Sequence, residues 1–370
     1  MNKWPSKSPI LNLVLLVSFI RSLSVGAFWV VAHFRHRHFL TIFARWDAQW
    51  YQSIAEGGYG FQVRDRGKVL SNEAFFPLFP FLEKIVHKVS SLGYLTSGVL
   101  LSLACSLWAA IMIYKVTELI SNRSVAFTTA LIWSVYPISY VDNLAYSETL
   151  FTALAASALY CSQKHWIKSA STFALLAGLT RPTGLALAAA VTIPIIIEMI
   201  SSRDARRSFT TYFAIVIPAS GWLSYFFYLA CKNSNFFSYF EIQAHWGNGF
   251  DGGENFFNWI ASYIFSKNWF FGLFIVIGCL FIIYLLLRLY KRTKSPQILI
   301  FTTLMVVLSF TTQGYFGSKP RYLLPLFPLM MVIAIPVSEK SRVMRFGVLA
   351  ALTILGLSYG AIAATGHGPP

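Results

Sequence analysis

The chain has 370 residues, of which 56% are hydrophobic and only 12% are charged, and its formal net charge at pH 7 is +16. A soluble globular domain carries roughly 25% charged residues, so this composition excludes an ordinary soluble protein. Apolar runs of about 20 residues recur along the whole chain, and each is long enough to cross about 30 Å of hydrocarbon. The composition predicts an all-α polytopic membrane protein in which residues 1–370 form a single integral membrane domain.

The excess of basic residues does not indicate a nucleic-acid partner. Lysine and arginine occur in short clusters between the apolar runs, where they set the topology of a membrane protein. The four cysteines are scattered and form no CxxC pair, which argues against metal and disulfide roles. His33, His36 and His38 have a spacing that could suit a metal, but a basic collar where the first helix leaves the bilayer is the favoured interpretation. We expect no metal site and no nucleic-acid partner.

The apolar runs predict about eleven membrane spans. The first follows Lys3 and Lys7 without a small-residue cleavage site, so it is expected to be a retained helix rather than a signal peptide. The spans lie near residues 10–32, 95–114, 125–141, 149–163, 169–181, 184–200, 209–231, 268–288, 297–312, 322–337 and 346–364.

A break at Arg181-Pro182-Thr183-Gly184 separates the fifth and sixth spans, because proline removes a backbone donor and glycine loosens the chain. A single long kinked helix is the alternative, and it would reverse the orientation of every later span. The charge distribution favours two helices. With the N-terminus in the cytoplasm, more than half of the 30 lysines and arginines lie in tails or short loops on the inside. These inside residues are Lys3, Lys7, Lys115, Arg123, Lys164, Lys168, Arg203, Arg206, Arg207, Arg288, Lys291, Arg292, Lys294, Lys340, Arg342 and Arg345.

Two outer segments are long, a first extracytoplasmic loop at 33–94 and a second at 232–267. In the first, aromatic and apolar residues within 46–54 recur at helical spacing, and 74–89 combines an apolar stripe with charged residues. Both stretches are predicted to be helices in the membrane interface, with ordinary loop packing as the alternative. The glycine-rich stretch 247–253 lacks the ligand pattern of a calcium loop and is interpreted as a flexible loop that gates substrate.

The most informative single residue is Asp47, which lies in the segment RWDAQWY of the first loop. A charged group held at a bilayer is costly, so each one is a functional candidate. A positioned carboxylate can accept the proton of an attacking hydroxyl, which makes Asp47 the candidate catalytic base. The alternative is an ordinary N-cap at the start of a helix. Asp142 and Glu148 flank the next outer turn and are further acidic candidates.

Cations and aromatic residues near these carboxylates predict a site for a sugar phosphate. Arg181, Lys319 and Arg321 lie on short outer turns, where guanidinium groups and helix N-termini form good phosphate sites. Snorkelling to lipid headgroups is the alternative for these cations. The residues predicted to bind the sugar are Trp46, Trp50, Tyr51, Tyr146, Glu148, Gln243, His245 and Trp246.

Six segments, taken in order, resemble the PIG-V family of membrane mannosyltransferases, which includes GPI mannosyltransferase 2 and many shorter prokaryotic relatives. Together they extend over most of the chain, and their order is more specific than any one of them. The segments are RWDAQWYQSIAEGGYGF (45–61), AFFPLFPFLEKIV (74–86), DNLAYSETLF (142–151), GLTRPTGLALA (178–188), QAHWG (243–247) and RYLLPLFPLM (321–330).

The resemblance implies a GT-C glycosyltransferase fold and a polyprenyl-phosphate sugar donor, such as dolichyl-phosphate mannose, used on the outer or lumenal face. The family's first-loop aspartate falls on Asp47, its Tyr-Ser-Glu turn on 146–148, and its RPTG arginine on Arg181. The chain is compact for the eukaryotic GPI enzyme. A prokaryotic member would have no GPI to build and would glycosylate another lipid, glycan or protein.

The resulting hypothesis is an inverting transfer of a sugar, mannose by resemblance, from a polyprenyl phosphate to a lipid-linked or glycan acceptor on the extracytoplasmic face. No cofactor and no divalent metal are required, because arginine can neutralise a monophosphate leaving group. The membrane would be the cell membrane in a prokaryote and the endoplasmic reticulum in a eukaryote, and a membrane partner subunit stays open. The alternatives are a lipid-linked sugar flippase, which usually shows repeated halves or paired broken helices, and a noncatalytic scaffold.

Overall fold

The structure of the protein, a computed structural model, describes residues 8–65, 67–202, 204 and 208–366. Five basic residues used to predict the topology, Lys3, Lys7, Arg203, Arg206 and Arg207, lie outside the described residues. The α-helices of the described part are α1 (Pro9–Phe34), α2 (Asp47–Gly57), α3 (Leu78–Ser90), α4 (Tyr94–Ile120), α5 (Arg123–Val135), α6 (Glu148–Gln163), α7 (Ile167–Gly178), α8 (Gly184–Ser201), α9 (Phe209–Lys232), α10 (Ser238–His245), α11 (Glu254–Ile264), α12 (Trp269–Arg292), α13 (Pro296–Thr311), α14 (Phe327–Ser338) and α15 (Arg342–Ala364).

Each of the predicted spans corresponds to a helix in the structure, but not every one of these helices is long enough to cross a bilayer alone. Six are both long and apolar enough, namely α1, α4, α8, α9, α12 and α15. The number rises to at most 8 if α5 and α14 each form one bent span with an adjoining 3₁₀ segment, Pro137–Asn143 and Phe316–Leu323 respectively. The protein is therefore an all-α polytopic membrane protein, and about eleven crossings stay a prediction.

The break at the RPTG sequence separates two distinct helices, as the distribution of charge predicts. Helix α7 ends at Gly178, α8 begins at Gly184, and the two helices pack against each other and against α9. A Cβ atom on Gly184 would lie 2.6 Å from the Cα of Gly178, so the tight reversal depends on the absence of a side chain at this point. The single kinked helix is excluded.

Helix α6 lies at the centre of the bundle. It packs against α4 and α7, and its residues from Glu148 to Leu159 are all buried. Many of them are alanine, which lets neighbouring backbones approach closely, as is common between helices in membranes. Because α6 begins at Glu148, this central helix presents a buried carboxylate at one end of the bundle.

The first outer loop contains the two predicted helices, α2 and α3, and a hairpin that the sequence analysis did not predict. Strand β1 (Gln62–Asp65) pairs antiparallel with β2 (Lys68–Ser71), with Gln62 opposite Ser71. Four-residue strands carry too little alternation to be recognised from sequence. The location of α2 and α3 in the membrane interface stays a prediction.

The second outer loop contains regular structure that the sequence did not predict. Strand β3 (Gly249–Phe250) pairs with β4 (Thr312–Gln313), and the Asp251 carboxylate accepts hydrogen bonds from the backbone N–H groups of Gly253 and Asn255 at 2.9 and 3.0 Å. These bonds hold the pKa of Asp251 below its usual value. The glycine-rich stretch connects α10 to α11 through this short strand and turn, and its role as a flexible loop that gates substrate stays a prediction.

Candidate active site

Asp47 is the first residue of α2. The preceding residue, Trp46, holds the N-cap position with a φ of 53°, and no side chain caps the helix. The Asp47 carboxylate instead accepts a hydrogen bond from Nη1 of Arg321 over 2.7 Å. The alternative that Asp47 is an ordinary N-cap is therefore wrong.

A second carboxylate, Glu148, lies beneath this pair. Its Oε1 atom is 2.6 Å from Nη1 of Arg181 and 3.4 Å from Nη1 of Arg321, so both arginines share it. Nη1 of Arg181 also donates to Oγ of Ser147 over 3.2 Å, and that hydroxyl is 2.7 Å from the hydroxyl of Tyr51. Two carboxylates thus fix two guanidinium groups side by side, and each charge has a partner in a site where an unpaired charge would be costly.

Asp47, Arg181 and Arg321 border a cavity of about 210 Å³ between the two long loops and the 3₁₀ segment Phe316–Leu323. Glu148 itself is excluded from its surface, whereas the two guanidinium groups and the Asp47 carboxylate reach it. The predicted residues that line the cavity are Asp47, Tyr51, Arg181, Gln243, Trp246, Lys319 and Arg321. The structure therefore brings together, from four regions of the chain, most of the groups predicted to bind a sugar phosphate.

The remaining predicted residues lie behind the lining or away from it. Trp50 stacks on Phe75 with ring centroids 6.0 Å apart, and Tyr146 lies under the Arg321 guanidinium at 5.4 Å. Trp46 faces the guanidinium of Arg45 at 4.0 Å, and His245 is exposed with its ring 3.2 Å from the carbonyl of Val69. Five predicted residues therefore do not line the cavity, and their direct role in binding stays a prediction. They are Trp46, Trp50, Tyr146, Glu148 and His245.

Two solved structures of membrane proteins have a similar fold, and the similarity extends over nearly the whole length of this chain. The first is ArnT from Cupriavidus metallidurans bound to undecaprenyl phosphate, with a TM-score of 0.57 and 14% identity, covering 94% of this chain and 63% of that one. The second is the oligosaccharyltransferase AglB from Archaeoglobus fulgidus in complex with an inhibitory peptide and a dolichol-phosphate, with a TM-score of 0.54 and 13% identity, covering 100% of this chain and 57% of that one.

The chain has the GT-C fold. At 13–14% sequence identity the similarity shows the fold alone. The chain spans about three fifths of the length of the two proteins that it matches. A scan against protein-family models and a search of curated proteins both give no match.

Several residues that line the cavity carry little signal in the sequence. Tyr315, Ser318 and Tyr322 flank the predicted cations and line the cavity, and Ser318 accepts a hydrogen bond from Nη2 of Arg321 over 3.2 Å. Asn248 also lines it and donates to the side chain of Gln243 over 2.9 Å. Their only sequence signal is proximity to the charged motif or to the QAHW segment.

Asp142 is not part of the site. Its carboxylate is fully buried and pairs over 2.7 Å with Arg21, which projects from the middle of α1. The same guanidinium donates to Oγ of Ser106 and to the carbonyl of Ser139, each over 2.9 Å. Asp142 therefore ties α1 to the bundle, and its interpretation as an outward-facing functional candidate is corrected.

A second cavity, of about 320 Å³, adjoins the first. The two share Gly314, Tyr315 and Lys319, and the second is walled by aromatic rings of α11 and of the segment that follows β4, among them Trp259 and Phe316. Lys319 donates to the carbonyl of Thr312, on the side of the second cavity.

Among the residues that the structure describes, no three His, Cys, Asp or Glu side chains are grouped as a metal site would require.

Proposed function

We propose that the protein is a membrane glycosyltransferase that transfers a sugar from a polyprenyl-phosphate donor to an acceptor hydroxyl. One observation carries the proposal: Asp47, Arg181 and Arg321 face a single cavity, so a carboxylate able to accept a proton lies next to two guanidinium groups able to bind phosphate. The fold supports it, since solved structures of similar fold were obtained with undecaprenyl phosphate or a dolichol-phosphate bound.

The donor phosphate binds the guanidinium groups of Arg181 and Arg321 in this proposal. Arginine presents a planar fork of donors that matches phosphate oxygens, and its charge does not depend on pH in the physiological range. Nη1 of Arg321 is occupied by Asp47 in the structure. An arriving phosphate would compete for that donor and free the Asp47 carboxylate, so donor binding would itself prepare the base.

The transfer then proceeds in one step. The acceptor oxygen attacks the anomeric carbon and forms the new glycosidic bond while the bond from that carbon to the phosphate oxygen breaks. The electron pair of the breaking bond goes to the phosphate, where the two arginines stabilise the added charge. The proton of the acceptor hydroxyl goes to Asp47. Attack opposite the leaving group inverts the anomeric configuration.

The two adjoining cavities would hold the two substrates. Tyr51 and Trp246 offer aromatic surface to the donor sugar in the first cavity, and the aromatic wall of the second suits the acceptor. Tyr315 and Lys319 lie at the junction, where the reacting atoms would have to meet. Holding both substrates in line removes part of the entropic barrier. Mannose as the sugar rests on the resemblance to the PIG-V family, as does the extracytoplasmic location of the site.

The test is sugar transfer in nanodiscs from radiolabelled polyprenyl-phosphate mannose to a lipid extract of the source cell. Asp47→Asn removes the proton acceptor but keeps the shape of the side chain, and we expect turnover to fall at least about 100-fold. The matched control is Asp65→Asn, because Asp65 is exposed on β1, away from the cavity. Unchanged turnover in Asp47→Asn would reject the role of Asp47. Lipid movement across the bilayer without a new glycosidic bond would instead establish the flippase.

A further inference from the structure

Glu83 is a buried carboxyl group that the proposed reaction does not use. It lies on α3, is 0% exposed, and neither of its carboxyl oxygens has a hydrogen-bond partner among the described residues. An ionised carboxylate in such surroundings would lose its hydration without compensation, which is costly. Consistent with this, burial raises the pKa of Glu83 to about 8.

The surroundings of Glu83 are built to accept a neutral side chain. Gly98 of α4 leaves the necessary room, because a Cβ atom there would lie 3.1 Å from Oε1 of Glu83 and 2.7 Å from Cβ of Ala145. The carboxyl group thus lies against α4 at Gly98, where α4 also approaches Ala145, the residue that immediately precedes Tyr146. Because neither Gly98 nor Ala145 has a polar side chain and the described residues provide no hydrogen-bond donor to Oε1 or Oε2, this position favours an uncharged acid over a carboxylate.

Charged groups on the neighbouring elements do not compensate Glu83. Helix α3 packs against α2 and α4, and Leu78 of α3 contacts the turn before Arg181. No ion pair joins Glu83 to any of their side chains in the described part of the chain. The titratable and charged groups on these elements and on α3 itself are Asp47, Tyr51, Glu56, Lys84, His87, Lys88, Tyr94, Cys105, Tyr114, Lys115, Glu118, Tyr146, Glu148 and Arg181.

Helix α3 is connected to the active site at two points. Near Glu83 it lies against Gly98 of α4, and at Gly98 α4 also approaches Ala145, next to the turn that supplies Tyr146, Ser147 and Glu148. At its first residue, the backbone N–H of Leu78 donates to the carbonyl of Leu179 over 2.9 Å, two residues before Arg181. Any displacement of α3 would therefore be transmitted both to the carboxylate and to one of the guanidinium groups that it holds.

We propose that Glu83 is a positioning residue that must carry a proton for α3 to hold the Arg181–Glu148 pair in place, so that deprotonation of Glu83 inactivates the protein. In this scheme the carboxyl proton leaves to solvent, the resulting carboxylate draws α3 away from α4 towards water, and the turns at 145–148 and 179–181 loosen. The role in activity rests on the proposed glycosyltransferase function, whereas the protonation and the movement of α3 do not.

The sign of the effect follows from the direction of the shift. The folded protein binds the Glu83 proton more tightly than the unfolded chain does. The folded arrangement, in which α3 packs on α4, therefore loses stability as pH rises from the usual pKa of a glutamate towards about 8. We expect sugar transfer by the wild type to fall about tenfold between one pH unit below and one pH unit above this midpoint. Glu83→Gln, which is neutral at every pH and of the same size, is expected to keep transfer over the whole range.

Two measurements test the proposal. The first compares pH profiles of transfer for the wild type, Glu83→Gln and the matched control Glu56→Gln, whose side chain is exposed on α2. The second needs no turnover: infrared difference spectra between wild type and Glu83→Gln should show the carbonyl stretch of a protonated carboxylic acid that disappears near pH 8. Hydrogen exchange at 78–90 and 145–148 should rise over the same pH range in the wild type alone, after correction for intrinsic exchange.

The proposal is overturned if Glu83→Gln shows the same alkaline loss of transfer as the wild type, or if the infrared band titrates in the usual range of a glutamate. If no variant transfers sugar, the infrared and exchange measurements still decide whether Glu83 is protonated in the folded protein and whether its deprotonation releases α3. In that case, loss of the infrared band near pH 8 together with faster hydrogen exchange at 78–90 and 145–148 supports the role of Glu83. The proposed glycosyltransferase function is then rejected separately.

Discussion

The carboxylate of Asp47 accepts a hydrogen bond over 2.7 Å from a guanidinium that lies 274 residues further along the chain, that of Arg321. Arg321 also lies 3.4 Å from Glu148, which in turn holds Arg181. The four charges neutralise one another in the structure. The phosphodiester of a bound donor, with its one negative charge, would change this arrangement in a defined way, because it can replace Asp47 as a partner of Arg321 but cannot replace the buried Glu148.

Glu148 is predicted to be required for folding as well as for activity. Glu148→Gln leaves Arg181 in a buried site without its carboxylate, and breaking a buried pair from one side costs about 3–5 kcal/mol. We expect a lower midpoint of thermal unfolding in detergent and a loss of donor binding. The control is Glu118→Gln, since the Glu118–Arg123 pair is exposed and is worth at most about 1 kcal/mol. Equal stability of the two variants would contradict the prediction.

The buried pair of Arg21 and Asp142 is predicted to stabilise the bundle without taking part in the reaction. Asp142→Asn should lower stability by about 3–5 kcal/mol, because it leaves a buried guanidinium uncompensated. The double change Arg21→Met with Asp142→Leu should recover much of this loss, since it removes both charges. Transfer per folded molecule is the second readout. If Asp142→Asn were fully stable yet inactive, Asp142 would belong to the active site after all.

Close contact between α7 and α9 is predicted to depend on Gly221. A Cβ atom at this position would lie 2.0 Å from the carbonyl oxygen of Leu175, so Gly221→Ala must push the two helices apart. Overpacking of this kind typically costs about 1–3 kcal/mol. Because α7 leads into the turn of Arg181, donor binding should weaken together with the unfolding midpoint. Gly278→Ala on α12, where nothing lies within 4 Å of the added carbon, should leave both unchanged.

Removal of divalent metal is predicted to leave transfer intact. Arg181 and Arg321 supply the positive charge that a monophosphate leaving group needs, so EDTA should change turnover less than about twofold. The measurement is transfer in nanodiscs before and after dialysis against EDTA, followed by addition of Mg²⁺ or Mn²⁺. A requirement for either ion would show that the arginines alone do not neutralise the leaving group, and Asp47 would then need to be tested as a metal ligand.

Two short helices and one helix break show how far the sequence can be interpreted. An apolar stripe with charged residues at helical spacing predicts α2 and α3, and the structure confirms both helices. The RPTG sequence predicts the break between α7 and α8 because proline and glycine act locally. Strands β1 and β2 were missed, since a hairpin of four-residue strands leaves no comparable local signal.

The candidate site was predicted in its parts but not in its arrangement. Asp47, Arg181 and Arg321 stand out individually because charges beside apolar sequence are rare and costly. Asp142 has the same local appearance as Glu148, yet one pairs with Arg21 in α1 and the other with the two arginines of the cavity. The local sequence around Asp142 or Glu148 does not encode which arginine, elsewhere in the chain, each of them meets.

The sequence by itself determined that this is a polytopic helical membrane protein, because hydropathy and the positions of proline, glycine and charge act within about 20 residues of chain. Its resemblance to PIG-V also implied the GT-C fold. Only the tertiary structure decided that Asp47 pairs with Arg321, that Glu148 supports both arginines, and that Glu83 is buried without a hydrogen-bond partner among the residues that the structure describes. Those facts depend on which distant segments pack together, and packing is decided by the fit of whole helices in space.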